Sequence, residues 1–138
     1  MSPFTREQLL ELLQSYTSLA GIDLSGVNLE SINLSGVNLN SANLWGARLT
    51  GAHLEGVDLS RANLHYANLS GADLSDAKLS ETDLSGASLH NANLSRVDLS
   101  KANLTGANLE GADLDHADLH HANLRGARLT GASLGAHT

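Results

Sequence analysis

From Leu19 to Leu134 every fifth residue is leucine, 24 in all, and the residue two places before each is almost always Ala, Val or Ile. A repeat of five fits neither the helical period of about 3.6 residues nor the alternation of two that marks a half-buried strand. The unit is therefore compound. In Ala67-Asn68-Leu69-Ser70-Gly71 the first three residues alternate as a strand does, Ala67 and Leu69 to one side and Asn68 to the other. Ser70-Gly71 then forms a turn, in which glycine supplies the positive φ that a type II turn needs at its third residue. If each turn bends the chain through about a right angle, four such units close a square coil of 20 residues. Successive coils then stack at about the 4.8 Å strand spacing.

The repeated Ala-(Asn/Asp)-Leu, as in Ala42-Asn43-Leu44, Ala62-Asn63-Leu64 and Ala112-Asp113-Leu114, resembles the pentapeptide-repeat family, and the likeness covers residues 17–136. The resemblance implies an all-β fold, a right-handed quadrilateral β-helix of about six coils; the hand and the four-sided section come from the resemblance. It implies little about activity, because a scaffold of this kind carries function only in the residues grafted on it.

Residues 1–16 follow a different pattern. Thr5 is placed as an N-cap, Gln8 completes a capping box, and Phe4 is positioned to staple against Leu9. Leu9, Leu12, Leu13 and Tyr16 fall on one helical face, so a short amphipathic helix is expected to cover the strand edges and stacked leucines at the open end of the coil. At the other end, 137–138 form a tail after an uncovered last coil, and a homodimer through that C-terminal coil is expected. Half of the second-corner positions are Gly, but others include Arg61, Tyr66, Asp76 and Lys101. Bulky residues are costly at positive φ, so the corners at Arg61 and Tyr66 are expected to avoid type II geometry.

At 138 residues the chain makes one domain, and it has no cysteine, which fits a reducing compartment. No basic start with a long apolar run and no span-length apolar stretch is visible, so a cytoplasmic, soluble protein without membrane contact is expected. A net charge of −7 argues against direct nucleic-acid binding, which needs clustered Lys and Arg. It leaves room for an acidic decoy.

Residues 20 apart become axial neighbours, which turns the charges into columns. Asp58, Lys78 and Asp98 form one, Arg61, Glu81 and Lys101 another, and Asp76 lies next to Arg96, with Asp98 above Asp118 the clear like-charge pair. Alternating signs read as register-fixing pairs on a solvated face. Some members of the resembled family protect DNA gyrase from fluoroquinolones by presenting acidic faces in place of DNA. Here the acids read as scattered among bases, and no extra loop or apolar C-terminal segment is evident. His116, His120 and His121 with Asp115 and Asp118 resemble metal ligands, but the two corners that carry most of them are separated by a strand of roughly 10 Å. Zinc donors must lie within about 2.0–2.2 Å of one ion, so no metal site and no cofactor is expected.

No nucleophile triad, phosphate loop or carboxylate pair stands out, and an enzyme is not expected. The few aromatics are more informative: Trp45 and Tyr66 project from corners on the same side of adjacent coils, with His65 beside them, as a candidate contact for an undefined protein partner. The sequence thus reads as a non-enzymatic structural or protein-interaction scaffold, with a DNA-mimicking inhibitor or protector of DNA gyrase as the alternative.

Overall fold

The computed structural model describes residues 2–135. Position 136 and the tail at 137–138 lie outside that range. Each side of the coil contributes one parallel bridge at its middle residue, and every bridge joins residues 20 apart, from Ser18↔Asn38 to Asp113↔Ser133. Four sides and four corners therefore close each turn of the helix. The inward columns make the core: the repeat leucines from Leu24 to Leu114 are at most 2% exposed, and the small residues between them fill the remaining space. Thr82 takes one of these small positions at 1% exposure, and its Oγ1 donates to Leu59 O at 2.8 Å. That bond offsets the cost of burying a hydroxyl.

Between the first and last coils, four of the five amides in each repeat are spent on backbone. Taking Asn63 to Ala67, Asn63 donates back to Ala42 O at 2.9 Å and Leu64 forward to Asp83 O at 2.8 Å. Tyr66 donates to Ser85 O at 3.1 Å, and Ala67 closes the turn on Leu64 O at 2.9 Å. The fifth, that of His65, goes to Asn63 Oδ1 at 3.0 Å. Every Asn or Asp at the middle position, from Asp23 to Asn123, accepts the corner amide two residues on in this way, at 2.9–3.1 Å. The repeated Asx residue is thus more than an outward polar filler. It supplies the acceptor for the one amide of the repeat that the backbone leaves over.

The corners overturn one expectation. Each second-corner residue has positive φ, including Arg61 (60°), Tyr66 (60°), Asp76 (61°) and Lys101 (61°), among the described residues. With the Leu-to-small-residue bond closing each turn, this is the type II signature. The left-handed conformation costs a non-glycine residue about 1–2 kcal/mol. A corner bent differently would withdraw its amide and carbonyl from the neighbouring coils, and each orphaned buried group costs about 1–3 kcal/mol. The ladder wins, since it loses more than one bond per corner.

Helix α1 spans Arg6–Leu13, and its capping box forms: Gln8 N donates to Thr5 Oγ1 at 3.1 Å, and Thr5 N to Gln8 Oε1 at 2.8 Å. Leu9 is fully buried in one cluster with the coil leucines, while Phe4, Leu12 and Leu13 pack partly against it. Ser2 Oγ and Arg6 Nη1 donate to the first-coil carbonyls of Asp23 and Asn28 at 2.5 and 3.2 Å. Tyr16 does not share the buried face. The helix stops three residues before it, and the ring is 57% exposed.

Candidate functional site

The 20-residue register places one corner in two columns, Ser25-Trp45-His65-Ser85-Thr105-Arg125 and Gly26-Gly46-Tyr66-Gly86-Gly106-Gly126. Tyr66 is the single side chain in an otherwise glycine column, and the three candidate contact residues meet there. Trp45 and Tyr66 stand with ring centroids 6.2 Å apart and planes at 78°, and His65 lies 3.8 Å from Tyr66 at 39°. Both large rings remain open, Trp45 at 48% and Tyr66 at 61% exposure. The amides of Trp45 and His65 are held by Asn43 and Asn63 and that of Tyr66 by Ser85 O, so the rings rise from a rigid base.

A polar chain supports the cluster from the next coil. Ser85 Oγ donates to Asp83 Oδ1 at 2.5 Å and lies 2.7 Å from His65 Nδ1. An ionised carboxylate only accepts, so the serine proton points to Asp83 and the imidazole donates through Nδ1. In that tautomer Nε2 is the acceptor. The order is Asp-Ser-His, with the hydroxyl in the middle. An activated serine needs the imidazole in the middle, between serine and carboxylate, so this arrangement orients His65 and does not prepare a nucleophile.

The other sequence candidates separate. Among the described residues no group of His, Asp or Glu could hold a metal ion, and His120 and His121 meet edge to face, 4.9 Å apart at 87°. The charge columns form in part. Arg61 pairs with Glu81 at 3.1 Å, and Arg96 clamps Asp76 through Nε at 2.9 Å and Nη2 at 3.1 Å. The Arg96 guanidinium, first by hydrogen bonding and then by charge, holds the Asp76 carboxyl below its ordinary range. In the column of Asp58, Lys78 and Asp98, by contrast, both carboxylates bond the serines two residues on. Two further pairs join residues 18 apart, Glu30–Arg48 at 2.6 Å and Glu110–Arg128 at 2.8 Å. A search of vertical neighbours misses this diagonal, which runs from a first corner to the middle residue before the same corner one coil on.

The acids are also less scattered than they read along the chain. Glu55, Asp58, Asp73, Asp76, Asp98, Asp113, Asp115 and Asp118 share one corner and its two flanking sides, broken by Lys78 and Arg96. At the C-terminal end, the amides of Leu119, His121, Leu124, Gly126, Leu129 and Gly131 have no backbone acceptor among the described residues. Leu119, Leu124 and Leu129 there are half-buried.

A solved pentapeptide repeat protein, Rfr23 from the cyanobacterium Cyanothece 51142, is similar over 91% of this chain and 97% of its own, at 31% identity and a TM-score of 0.47. HetL from Nostoc sp. strain PCC 7120, a pentapeptide repeat protein involved in heterocyst differentiation regulation, matches at 27% identity over 95% of this chain and 93% of its own, with a TM-score of 0.44. One structure of QnrB1, a plasmid-mediated fluoroquinolone resistance protein, matches at 19% identity over 87% and 80% of the two chains, with a TM-score of 0.36. Among curated proteins none matches. The family profile described as pentapeptide repeats finds eight copies, over residues 17–56, 58–96 and 92–131. With the unbroken five-residue period and the 20-residue coil, the chain belongs to the pentapeptide-repeat family, whose fold is the right-handed quadrilateral β-helix.

Proposed function

We propose that the chain is a non-enzymatic protein-interaction scaffold whose partner contact is the corner of Trp45, His65 and Tyr66. The observation that carries this reading is the pair of half-exposed rings held rigid on an otherwise polar rod. Aromatic side chains with two torsions lose little entropy when covered and bury large areas, which is why they anchor interfaces. Affinity capture with the native protein and with a Trp45→Ala/Tyr66→Ala variant tests it. The reading requires that specific partners be lost from the variant, and equal recovery by both proteins would end it.

A second reading, inhibition or protection of DNA gyrase by nucleic-acid mimicry, draws on the acidic corner around Glu55, Asp76 and Asp115. Two features weigh against it: Lys78 and Arg96 interrupt that corner, and Asp76 is neutralised by its clamp. A supercoiling assay with and without a fluoroquinolone decides it, since protection or inhibition in the low micromolar range would favour the decoy.

The proposal includes a cytoplasmic setting, in keeping with the cysteine-free sequence. It also includes a contact between two copies through the last coil, in keeping with the amides there that have no backbone acceptor among the described residues. Light scattering over a range of concentrations tests that contact, and a constant monomer mass would remove it.

A further inference from the structure

Resting on that partner reading, we infer that the Trp45–Tyr66 corner takes a cationic side chain, the guanidinium or ammonium of an arginine- or lysine-bearing partner segment. The ring faces carry the negative end of the aromatic quadrupole, and a cation is held when it lies within about 6 Å of a ring centroid. Two rings 6.2 Å apart and nearly perpendicular leave positions within that reach of both centroids, and because His65, 3.8 Å from the Tyr66 centroid, occupies one face of that ring, the cation takes the other.

The surroundings select for positive charge. Asp83 stands one coil on, joined to His65 through Ser85, and in the tautomer that donates through Nδ1 the imidazole offers Nε2 as an acceptor. The corner carbonyls of Gly46, Tyr66 and Gly86 have no hydrogen-bond donor among the described residues. The nearby bases are engaged: on the adjoining side Arg48 is paired with Glu30 at 2.6 Å and Arg6 donates to the Asn28 carbonyl at 3.2 Å, and the first arginine of the corner itself is Arg125, three coils past His65.

The approach is open on the N-terminal side of the Tyr66 ring. Space is empty where side chains would stand at Gly26 and Gly46, whereas the ring itself lies across Gly86, so a partner backbone can run over Gly26 and Gly46 and bring one of its cations up to the rings. The net charge of −7 adds a long-range attraction for such a segment.

Trp45 is the one tryptophan of the chain, so its emission reports this corner alone. N-acetyl-arginine methylamide is titrated into the full chain beside the citrulline analogue, which has a similar shape but no charge. The expected result is a saturable emission change with arginine and roughly two- to thirty-fold weaker binding of citrulline. Tyr66→Phe retains the response and Tyr66→Leu loses it, with folding checked by circular dichroism. No saturation with arginine, equal binding of citrulline, or an unchanged response in Tyr66→Leu would each overturn the inference. Loss of captured partners in the Trp45→Ala/Tyr66→Ala variant together with indifference to the arginine probe overturns the cation site and leaves the partner contact standing.

Discussion

The ring of Tyr66 lies across Gly86, so close that a Cβ on Gly86 would meet Tyr66 Cδ1 and Cε1 at 2.6 Å. One coil further on, Gly106 has the same backbone angle, φ 68° against 67°, and nothing within 4 Å of its Cβ position. The two glycines separate backbone strain from contact with the aromatic corner. Gly86→Ala and Gly106→Ala should each cost about 1–2 kcal/mol through the left-handed conformation. Only Gly86→Ala should also displace Tyr66, and with it shift the Trp45 emission. Thermal melts and fluorescence spectra of both variants check this; an equal spectral response would show that the ring is not seated on Gly86.

The Asx rule can be tested in both directions. Asn63→Ala removes the acceptor of the His65 amide and should cost about 1 kcal/mol, the usual net worth of one hydrogen bond. Ser88 occupies the same position in its repeat, between Asn68 and Asn108 in its column, and the His90 amide has no protein acceptor among the described residues. Ser88→Asn should therefore raise stability by roughly 0.5–1.5 kcal/mol, less whatever the Ser70–Ser88 hydroxyl bond at 2.8 Å contributes. Denaturant midpoints at unchanged slope would measure both changes.

Much of this was legible along the chain, and what was missed has identifiable physical causes. The leucine period yields the five-residue unit of side and corner, because inward burial and turn chemistry repeat together as at Leu69 and Ser70-Gly71, whereas the four-sided coil of 20 residues came from the family resemblance and is seen in the bridges. Trp45, His65 and Tyr66 come together as the register predicts, since residues one coil apart are neighbours. The positive φ at Arg61 and Tyr66 was misjudged by weighing local preference against nothing. A signal was present: no second-corner position carries Val, Ile or Thr, whereas the first corners include Thr50, Thr105 and Thr130. β-branched residues are the ones that left-handed backbone excludes most strongly. The Asp83-Ser85-His65 chain stayed hidden because serine and aspartate recur in the repeat, so only the coil geometry distinguishes this set.

Leu9 ties α1 to the coil, fully buried in the same cluster as the leucines of the repeat. Leu9→Ala should cost about 2–5 kcal/mol, as large-to-small changes in closed cores do. Leu10 is 42% exposed in the same helix, so Leu10→Ala serves as the control and should leave the melting temperature nearly unchanged. If the two variants melt together, the helix does not cover the first coil in solution.

The clamp between Asp76 and Arg96 makes a prediction about acid. A carboxyl held below its ordinary range binds protons less readily in the folded state than in the unfolded one, so the pair stabilises the fold above the ordinary carboxylate range. That contribution fades as pH falls through the lowered value. In Arg96→Ala the Asp76 titration, followed by carbon-detected NMR of the carboxyl, should move upward toward the ordinary range. An unchanged midpoint would mean that the bidentate contact is not populated in solution.

The central claim, that the Trp45–Tyr66 corner is where a partner is held, is tested most directly by site-resolved photo-cross-linking in cells. A photoreactive phenylalanine analogue is placed at Tyr66 and, in a second protein, at Arg61, a second-corner residue with the same φ of 60° in a different column. The account predicts discrete adducts from position 66 that Trp45→Ala diminishes, and few or none from position 61. Adducts of equal yield and identity from both positions, or none from position 66 while 61 reacts, would contradict it.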